Sequence, residues 1–157
     1  MSVENYDYDV LYLGSGHGTF DGAIPLAAKG VKVAVVEGGL IGGTCPNRGC
    51  NAKITLDAPV ALQRQLAALN PVITGDTTIN WSANMAHKHE VIDGLPDFIG
   101  GLLKDNGVEV ITGYGKLTAA HSVQVGDQTY TADKIVIATG LHSHRLAIPG
   151  SELAHDS

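Results

Sequence analysis

The sequence predicts an α/β fold: a parallel sheet with flanking helices, plus a small antiparallel β-meander. Three observations carry this. An apolar run at 7–13 leads into a glycine-rich turn, a helical pattern and a second apolar run at 31–37, a βαβ arrangement. Two long helical patterns fill the middle of the chain. Four short strand patterns then span 108–132, and an apolar run at 134–138 reads as one more buried strand. The 157 residues suit one domain with a sizeable core.

Taken in order, residues 7–13 end at Gly14 and read as a buried parallel strand. Residues 17–29 read as a helix closed by Gly30, with Pro25 expected to kink or weaken it. Residues 31–37 form the second strand. Residues 44–69 read as one helix, entered through Thr44 and ended near Asn70-Pro71, and 71–79 as loop. Residues 80–105 are helical again, interrupted around Gly94-Leu95-Pro96 and closed by Asn106-Gly107, with Trp81 and Met85 expected in the core. Strands are expected at 108–112, 115–119, 121–125 and 128–132, with Gly126-Asp127 as a hairpin turn. The last strand, Lys134 to Ala138, runs into Thr139-Gly140.

Composition narrows the function. Hydrophobic content is 44% and charged content 17%, ordinary for a globular protein. Net charge is −6 without acidic or basic blocks, which argues against nucleic acid or a membrane surface as partner. No apolar run approaches the roughly 20 residues of a membrane span. Glu4, Asp7 and Asp9 stand where a secretory leader would be basic, so the expected location is cytoplasmic. In that compartment thiols are kept reduced, and a cysteine pair is more often catalytic or metal-binding than a structural staple.

Gly14-Ser15-Gly16-His17-Gly18-Thr19 follows a predicted strand and opens a helix. Gly14 makes the tight turn. Gly16 lets a pyrophosphate approach the backbone at the helix N-terminus, where free N–H groups and the dipole favour anions. Thr19 stands where the fingerprint has its third glycine, which predicts slightly wider helix–strand packing. Glu37 lies 23 residues after Gly14 at the end of the second strand, placed to accept ribose hydroxyls. Strand, turn, helix, strand and acid in register point to a dinucleotide site, without separating FAD from NAD.

The chain's two cysteines, Cys45 and Cys50, have four residues between them and follow Gly42-Gly43-Thr44. In a regular helix residues five apart have Cα atoms about 8.6 Å apart, beyond the reach of a disulfide. If the pair joins, the first turn must distort. Pro46 and Gly49 supply the means, since Pro disfavours helical backbone before it and Gly relaxes it. A thiolate near a helix N-terminus is also stabilised and reactive. The competing readings are two inert buried cysteines or half of a metal site. Zinc needs further ligands; of the pairs His87/His89 and His142/His144 that could supply them, the first lies on a predicted helix, where i,i+2 side chains diverge. No metal site is expected. His17 sits beside the presumed pyrophosphate as a spacer, and Arg48 could steer an anionic substrate.

The run Gly-Gly-Thr-Cys-x-Asn-x-Gly-Cys-x-x-Lys over 42–53 resembles the redox signature of the pyridine nucleotide–disulfide oxidoreductases, the flavoprotein family of glutathione reductase, dihydrolipoamide dehydrogenase and mercuric reductase. The resemblance extends through the fingerprint, Glu37, the segment Thr131 to Gly140 and Ile148-Pro149-Gly150. It implies a Rossmann-like FAD-binding domain. Gly14, Ser15, Gly16 and Gly18 would hold the pyrophosphate and Glu37 the adenosine ribose. Gly43 and Thr44 would lie on the flavin side, Gly115 near the adenine, and Thr139 and Gly140 in a second flavin-contacting segment. It further implies a Cys45–Cys50 couple, with Cys45 attacking the substrate disulfide, Cys50 facing the flavin, and Lys53 near the ring. Asn51-Ala52, His17, Thr19 and 141–144 depart from the family's usual residues.

The resemblance also implies what else such a protein needs: NAD(P)H as donor, a small-molecule or protein-bound disulfide as substrate, and a homodimer with an interface domain. The NAD(P) and interface domains have no counterpart in these 157 residues. The expectation is therefore an N-terminal part of an FAD-binding domain that binds FAD weakly and is inactive alone. The alternatives are a non-catalytic dinucleotide-binding module and a flavin-free dithiol redox protein.

Overall fold

A computed structural model describes residues 5–156. The elements are β1 (Tyr8–Leu13), α1 (His17–Ala27), β2 (Val33–Glu37), α2 (Thr44–Asn47), α3 (Cys50–Ala68), α4 (Trp81–Ile92), α5 (Leu95–Asp105), β3 (Glu109–Thr112), β4 (Gly115–Ala119), β5 (Ser122–Val125) and β6 (Gln128–Ile137). A short 3₁₀ turn, Ser151–Leu153, follows. The six strands form one sheet in the order β3-β2-β1-β6-β5-β4. The β3-β2-β1-β6 part is parallel and the β6-β5-β4 part antiparallel, so the predicted α/β class with a meander is what the chain adopts.

Alternation along the parallel strands sends residues to two cores. Leu11, Leu13, Ala34, Val36 and Ile111 share one with Val123, Val125 and Ala132. Tyr12, Val33 and Val35 share the other with Ala23, Ile99, Leu103 and Val108. The meander thus covers one face, and α1 and α5 cover the other. Burial on both faces explains why β1 and β2 read as near-continuous apolar runs. Gly115 marks where the meander meets the sheet: a Cβ there would lie 2.6 Å from Leu13 Cδ2 and 3.1 Å from Val36 Cγ1.

Four expectations need correction. Residues 128–132 and 134–138 are one ten-residue strand. Thr131 still pairs with Ser122 of β5 while Ala132 already pairs with Tyr8 of β1, so the ladder never lapses. The stretch 44–69 is not one helix but α2 and α3, broken at Arg48-Gly49. Pro25 does not break α1: it lies exposed near the helix end, the helix runs on to Ala27, and the capping bond from the Ala28 N–H to the Ile24 carbonyl is intact at 2.9 Å. Trp81 and Met85 are not core: they are 55% and 41% exposed. The buried residues of α4 are Asn84 and Ile92. The Asn84 amide donates to the Leu56 carbonyl of α3 at 3.1 Å. The interruption at Gly94-Leu95-Pro96 separates α4 from α5 as the proline predicts. The turn at Gly126-Asp127 joins β5 to β6, with Gly126 at φ +59.

Asp7 ties the start of β1 to β6. Its N–H donates to Thr131 Oγ1 at 3.0 Å, and the Thr131 N–H and hydroxyl both donate to Asp7 Oδ2 at 2.7 Å. These bonds, the side-chain one first, hold the Asp7 carboxyl below its ordinary range. A depressed folded-state value stabilises the fold above the unfolded carboxylate value of about 3.9 and loses that stabilisation as pH falls through the lowered value. Asp7→Ala is expected to lower stability at pH 7 by less than about 1 kcal/mol, because the site is exposed. It should also flatten the acid limb of a stability-versus-pH curve from chemical denaturation. An unchanged acid limb would refute the assignment.

Candidate functional site

Because β1, β2 and β6 run parallel, with Leu13 level with Val36 and Ile137, the residues that follow them emerge at one edge. That carboxyl edge is where open α/β sheets take ligands. Gly14 leaves β1 at φ +100, with its N–H donating to the Val36 carbonyl at 2.8 Å. A Cβ on Gly14 would overlap the Ala138 carbonyl oxygen, so only glycine fits. Ala138 in turn donates its N–H to the Leu13 carbonyl at 2.8 Å. Gly16 is the N-cap of α1, and no side chain caps that first turn. The Thr19 and Phe20 N–H groups bond the Gly16 carbonyl, which leaves the His17 and Gly18 N–H groups for an anion. Thr19, fully buried, turns its hydroxyl onto the Gly14 carbonyl at 2.6 Å. The residue in place of the third glycine therefore satisfies a turn carbonyl rather than merely adding bulk.

A second glycine turn faces the first. Gly43, at φ +67, is so close that a Cβ would lie 3.0 Å from the Gly16 Cα. Gly42, at φ +96, packs against Pro46 and Ile99, where a Cβ would lie 2.6 and 2.7 Å from their side chains. Between the two turns lies Ser15, fully buried. Its hydroxyl donates to Glu37 Oε2 at 2.6 Å and accepts from the Gly42 N–H at 3.0 Å. Glu37 also accepts the Ser15 N–H on Oε2 at 2.9 Å and the Gly39 N–H on Oε1 at 2.7 Å.

The cysteine segment hangs from this second turn. The Asn47 amide donates to the carbonyls of Ile41 at 3.0 Å and Gly43 at 2.8 Å. The N–H groups of Arg48 and Gly49 both donate to the Thr44 carbonyl, at 2.9 and 2.6 Å, which ends α2 after one turn. With the chain folded back, Cys45 and Cys50 come to a Cα separation of 4.7 Å and are joined by a disulfide. The regular-helix spacing of about 8.6 Å would have forbidden it. Gly49 has no room for a side chain, since a Cβ would meet the Thr44 carbonyl at 3.0 Å and the Cys45 Cα at 3.2 Å. Cys45 is half-buried, and Cys50, the first residue of α3, is exposed. Lys53 is exposed one turn further on.

The structure brings Gly14, Ser15, Gly16, Glu37, Gly43, Thr44, Cys45 and Cys50 into one connected cluster. Gly18 lies along the same edge, where a Cβ would touch that of Ala138 at 3.9 Å. Thr139 and Gly140 follow β6 at that edge and are exposed. Gly115 adjoins it through Gly113, whose N–H donates to the Glu37 carbonyl at 2.8 Å. Three contributions escaped the sequence: the Ser15 bridge, the Asn47 clamp, and Tyr114, whose ring lies where a Cβ on Gly38 would be. Asn47 was visible only as a residue type that prefers backbone partners to helix interiors. The His17 ring lies tilted against that of Phe20, with centroids 4.7 Å apart. His87 turns to Glu90 of its own helix and His89 to Asp93, that helix's C-cap. Among the described residues no three His, Cys, Asp or Glu side chains gather as a metal set. Two open clefts lie elsewhere, one around Tyr8, Lys32 and Tyr130 and one between α3 and the start of α4.

Residues 8–157 match the family described as pyridine nucleotide-disulphide oxidoreductase. Relatives include a dihydrolipoyl dehydrogenase of Acholeplasma laidlawii, 31% identical over 96% of this chain and 46% of that protein. A mercuric reductase of Bacillus cereus is 34% identical over 93% of this chain and 24% of its own length. A glutathione reductase of Nostoc sp. is 33% identical over 94% and 32%. Among solved structures, the HOCl-induced flavoprotein disulfide reductase RclA from Escherichia coli superposes with a TM-score of 0.76 at 26% identity, over 91% of this chain and 30% of that one. The chain thus spans from a quarter to just under half of the length of these relatives.

The close approach at Gly14 makes a graded prediction. Gly14→Ala should cost at least about 2 kcal/mol, combining a positive φ with overlap on Ala138. Gly30→Ala, at φ +83 with open space around it, should cost only about 1 kcal/mol. Denaturant midpoints of the two variants measure the difference, and equal losses would contradict the described turn.

Proposed function

The chain belongs to the pyridine nucleotide-disulphide oxidoreductases, and we propose that it is the flavin-binding, disulfide-carrying part of an NAD(P)H-dependent disulfide reductase. The observation that supports this best is physical continuity. The Cys45–Cys50 disulfide is clamped by Asn47 to Gly43, and Gly43 abuts Gly16 of the dinucleotide turn. Thiol chemistry and cofactor site are built on the same backbone contact.

The residues present suit FAD. The uncapped first turn of α1 and the side-chain-free surfaces of Gly16 and Gly43 accommodate a pyrophosphate, and Glu37 a ribose. Gly14, Ser15, Gly18, Thr44, Gly115, Thr139 and Gly140 complete the proposed contacts. FAD, when bound and once reduced by NAD(P)H, the proposed donor, would supply the electron pair that opens the disulfide. Two electrons and one proton convert the Cys45–Cys50 bond to a thiol and a thiolate. Cys50 opens α3, whose dipole stabilises a thiolate there, and Lys53 one turn on adds positive charge. Cys45, deprotonated, attacks a substrate disulfide, forming a mixed disulfide and releasing one thiol. Cys50 then attacks Cys45 Sγ, restoring the internal disulfide and releasing the second thiol. In this reading the exposed Cys50 would be the sulfur turned toward the flavin. The substrate is a small-molecule or protein-bound disulfide, and a reducing cytoplasm is where such a pair would cycle.

The test is optical. The chain loaded with FAD should be yellow and, after two-electron reduction, should gain a long-wavelength thiolate–flavin absorbance. Cys50→Ser should abolish that absorbance, while Cys45→Ser should show it without any reductant. Absence of the band from both wild type and Cys45→Ser would overturn the proposal.

A further inference from the structure

Glu37 is already heavily engaged. An ionised carboxylate is acceptor-only, with about two acceptor sites on each oxygen. Oε2 takes the Ser15 N–H and hydroxyl, and Oε1 takes the Gly39 N–H. That leaves Oε1 one acceptor site. The Ser15 hydroxyl has its single proton committed to this carboxylate, so the oxygen that receives the Gly42 N–H must do so with a lone pair. The polarity of the chain Gly42 N–H, Ser15 O–H, Glu37 Oε2 is therefore determined, and each bond strengthens the next. Ser15 is fully buried, so no solvent competes for it.

From this we infer that Ser15 is a positioning residue for ligand selection: by filling Oε2 it holds the Glu37 carboxylate with a single open site, on Oε1, for one ribose hydroxyl. The inference rests on the proposal that Glu37 is the ribose ligand, and it deepens that proposal. Without the Ser15 hydroxyl, Oε2 keeps only the Ser15 N–H, and a second acceptor site opens on it to water or to a ligand hydroxyl. The ribose site then loses its fixed direction although Glu37 itself is unchanged. The same loss frees the Gly42 N–H, but that affects every ligand equally and not the choice between them.

The probe is ADP, the half that FAD and NAD share, against 2′-deoxy-ADP, with binding measured calorimetrically on the whole chain. Wild type should bind ADP about tenfold more tightly, the scale of one hydrogen bond to a charged acceptor. Ser15→Ala should reduce that ratio to below about threefold, and Ser15→Gly, which any turn geometry accepts, should do the same. In a Glu37→Gln background the Ser15 change should leave the ratio where Glu37→Gln alone put it. A tenfold ratio that survives in Ser15→Ala or Ser15→Gly, with wild type discriminating, overturns the inference and leaves the role of Glu37 standing. A wild-type ratio near one, or no binding of ADP, overturns the ribose role of Glu37 and the inference with it.

Discussion

Two glycine turns pressed backbone to backbone carry the rest of the site. Gly43 lies against Gly16 at a separation that leaves no room for a Cβ without displacing the neighbour. The contact brings the loop before the cysteines onto the dinucleotide turn, and it dictates what lies beside it. Ser15, next to Gly16, is close enough to receive the Gly42 N–H, and Asn47 can reach back to the Gly43 carbonyl. A Cβ on Gly43 would press the turns apart and strain these bonds, whereas one on Gly16 would meet only ordinary contacts at 3.9 Å.

Register supplies the platform. Gly14, Glu37 and Ala138 are far apart in sequence but adjacent in space because β1, β2 and β6 run the same way with Leu13 beside both Val36 and Ile137. The continuity of β6 gives it two tasks. Its first residues complete the meander that covers one face of the sheet, and its last deliver Ala138 against Gly14. The covering of both faces in turn keeps Leu11, Val35 and Ala34 dry, so the edge that carries the site rests on a rigid support.

Legibility in the sequence follows the range of the forces involved. The turn at 14–19 and the acid at Glu37 were readable because φ, strand periodicity and helix capping act over a few residues. The gap between α4 and α5 was readable for the same reason, through Pro96. The continuity of β6 was not, because it depends on pairing with Tyr8, more than a hundred residues away. Periodicity placed Trp81 and Met85 on an apolar stripe, but the partner that would bury them is no local property, and they stand exposed. Pro46 and Gly49 announced that a distorted turn was available. The clamp that uses it, from Asn47 to Ile41 and Gly43, depends on the path of a loop that periodicity does not describe. Ser15 occupies a variable position of the fingerprint, so only the folded chain reveals that its hydroxyl joins three segments.

The break between α2 and α3 makes the two cysteines unequal. Had 44–69 been one helix, Cys45 would have held the N-terminal position and Cys50 would have lain more than a turn inside, with the sulfurs out of reach. The reversal at Arg48-Gly49 starts a new helix at Cys50, so the nineteen residues of α3 direct their dipole at that sulfur, while the four-residue α2 offers Cys45 little of the same field. The fold that allows the disulfide to form is thus the fold that biases the charge toward Cys50 once it opens. A helix N-terminus stabilises a thiolate, so in the proposed mechanism the charge rests on Cys50 and Cys45 is the thiol left for attack on substrate. Asymmetry between the cysteines is built into the backbone before any cofactor or substrate is considered.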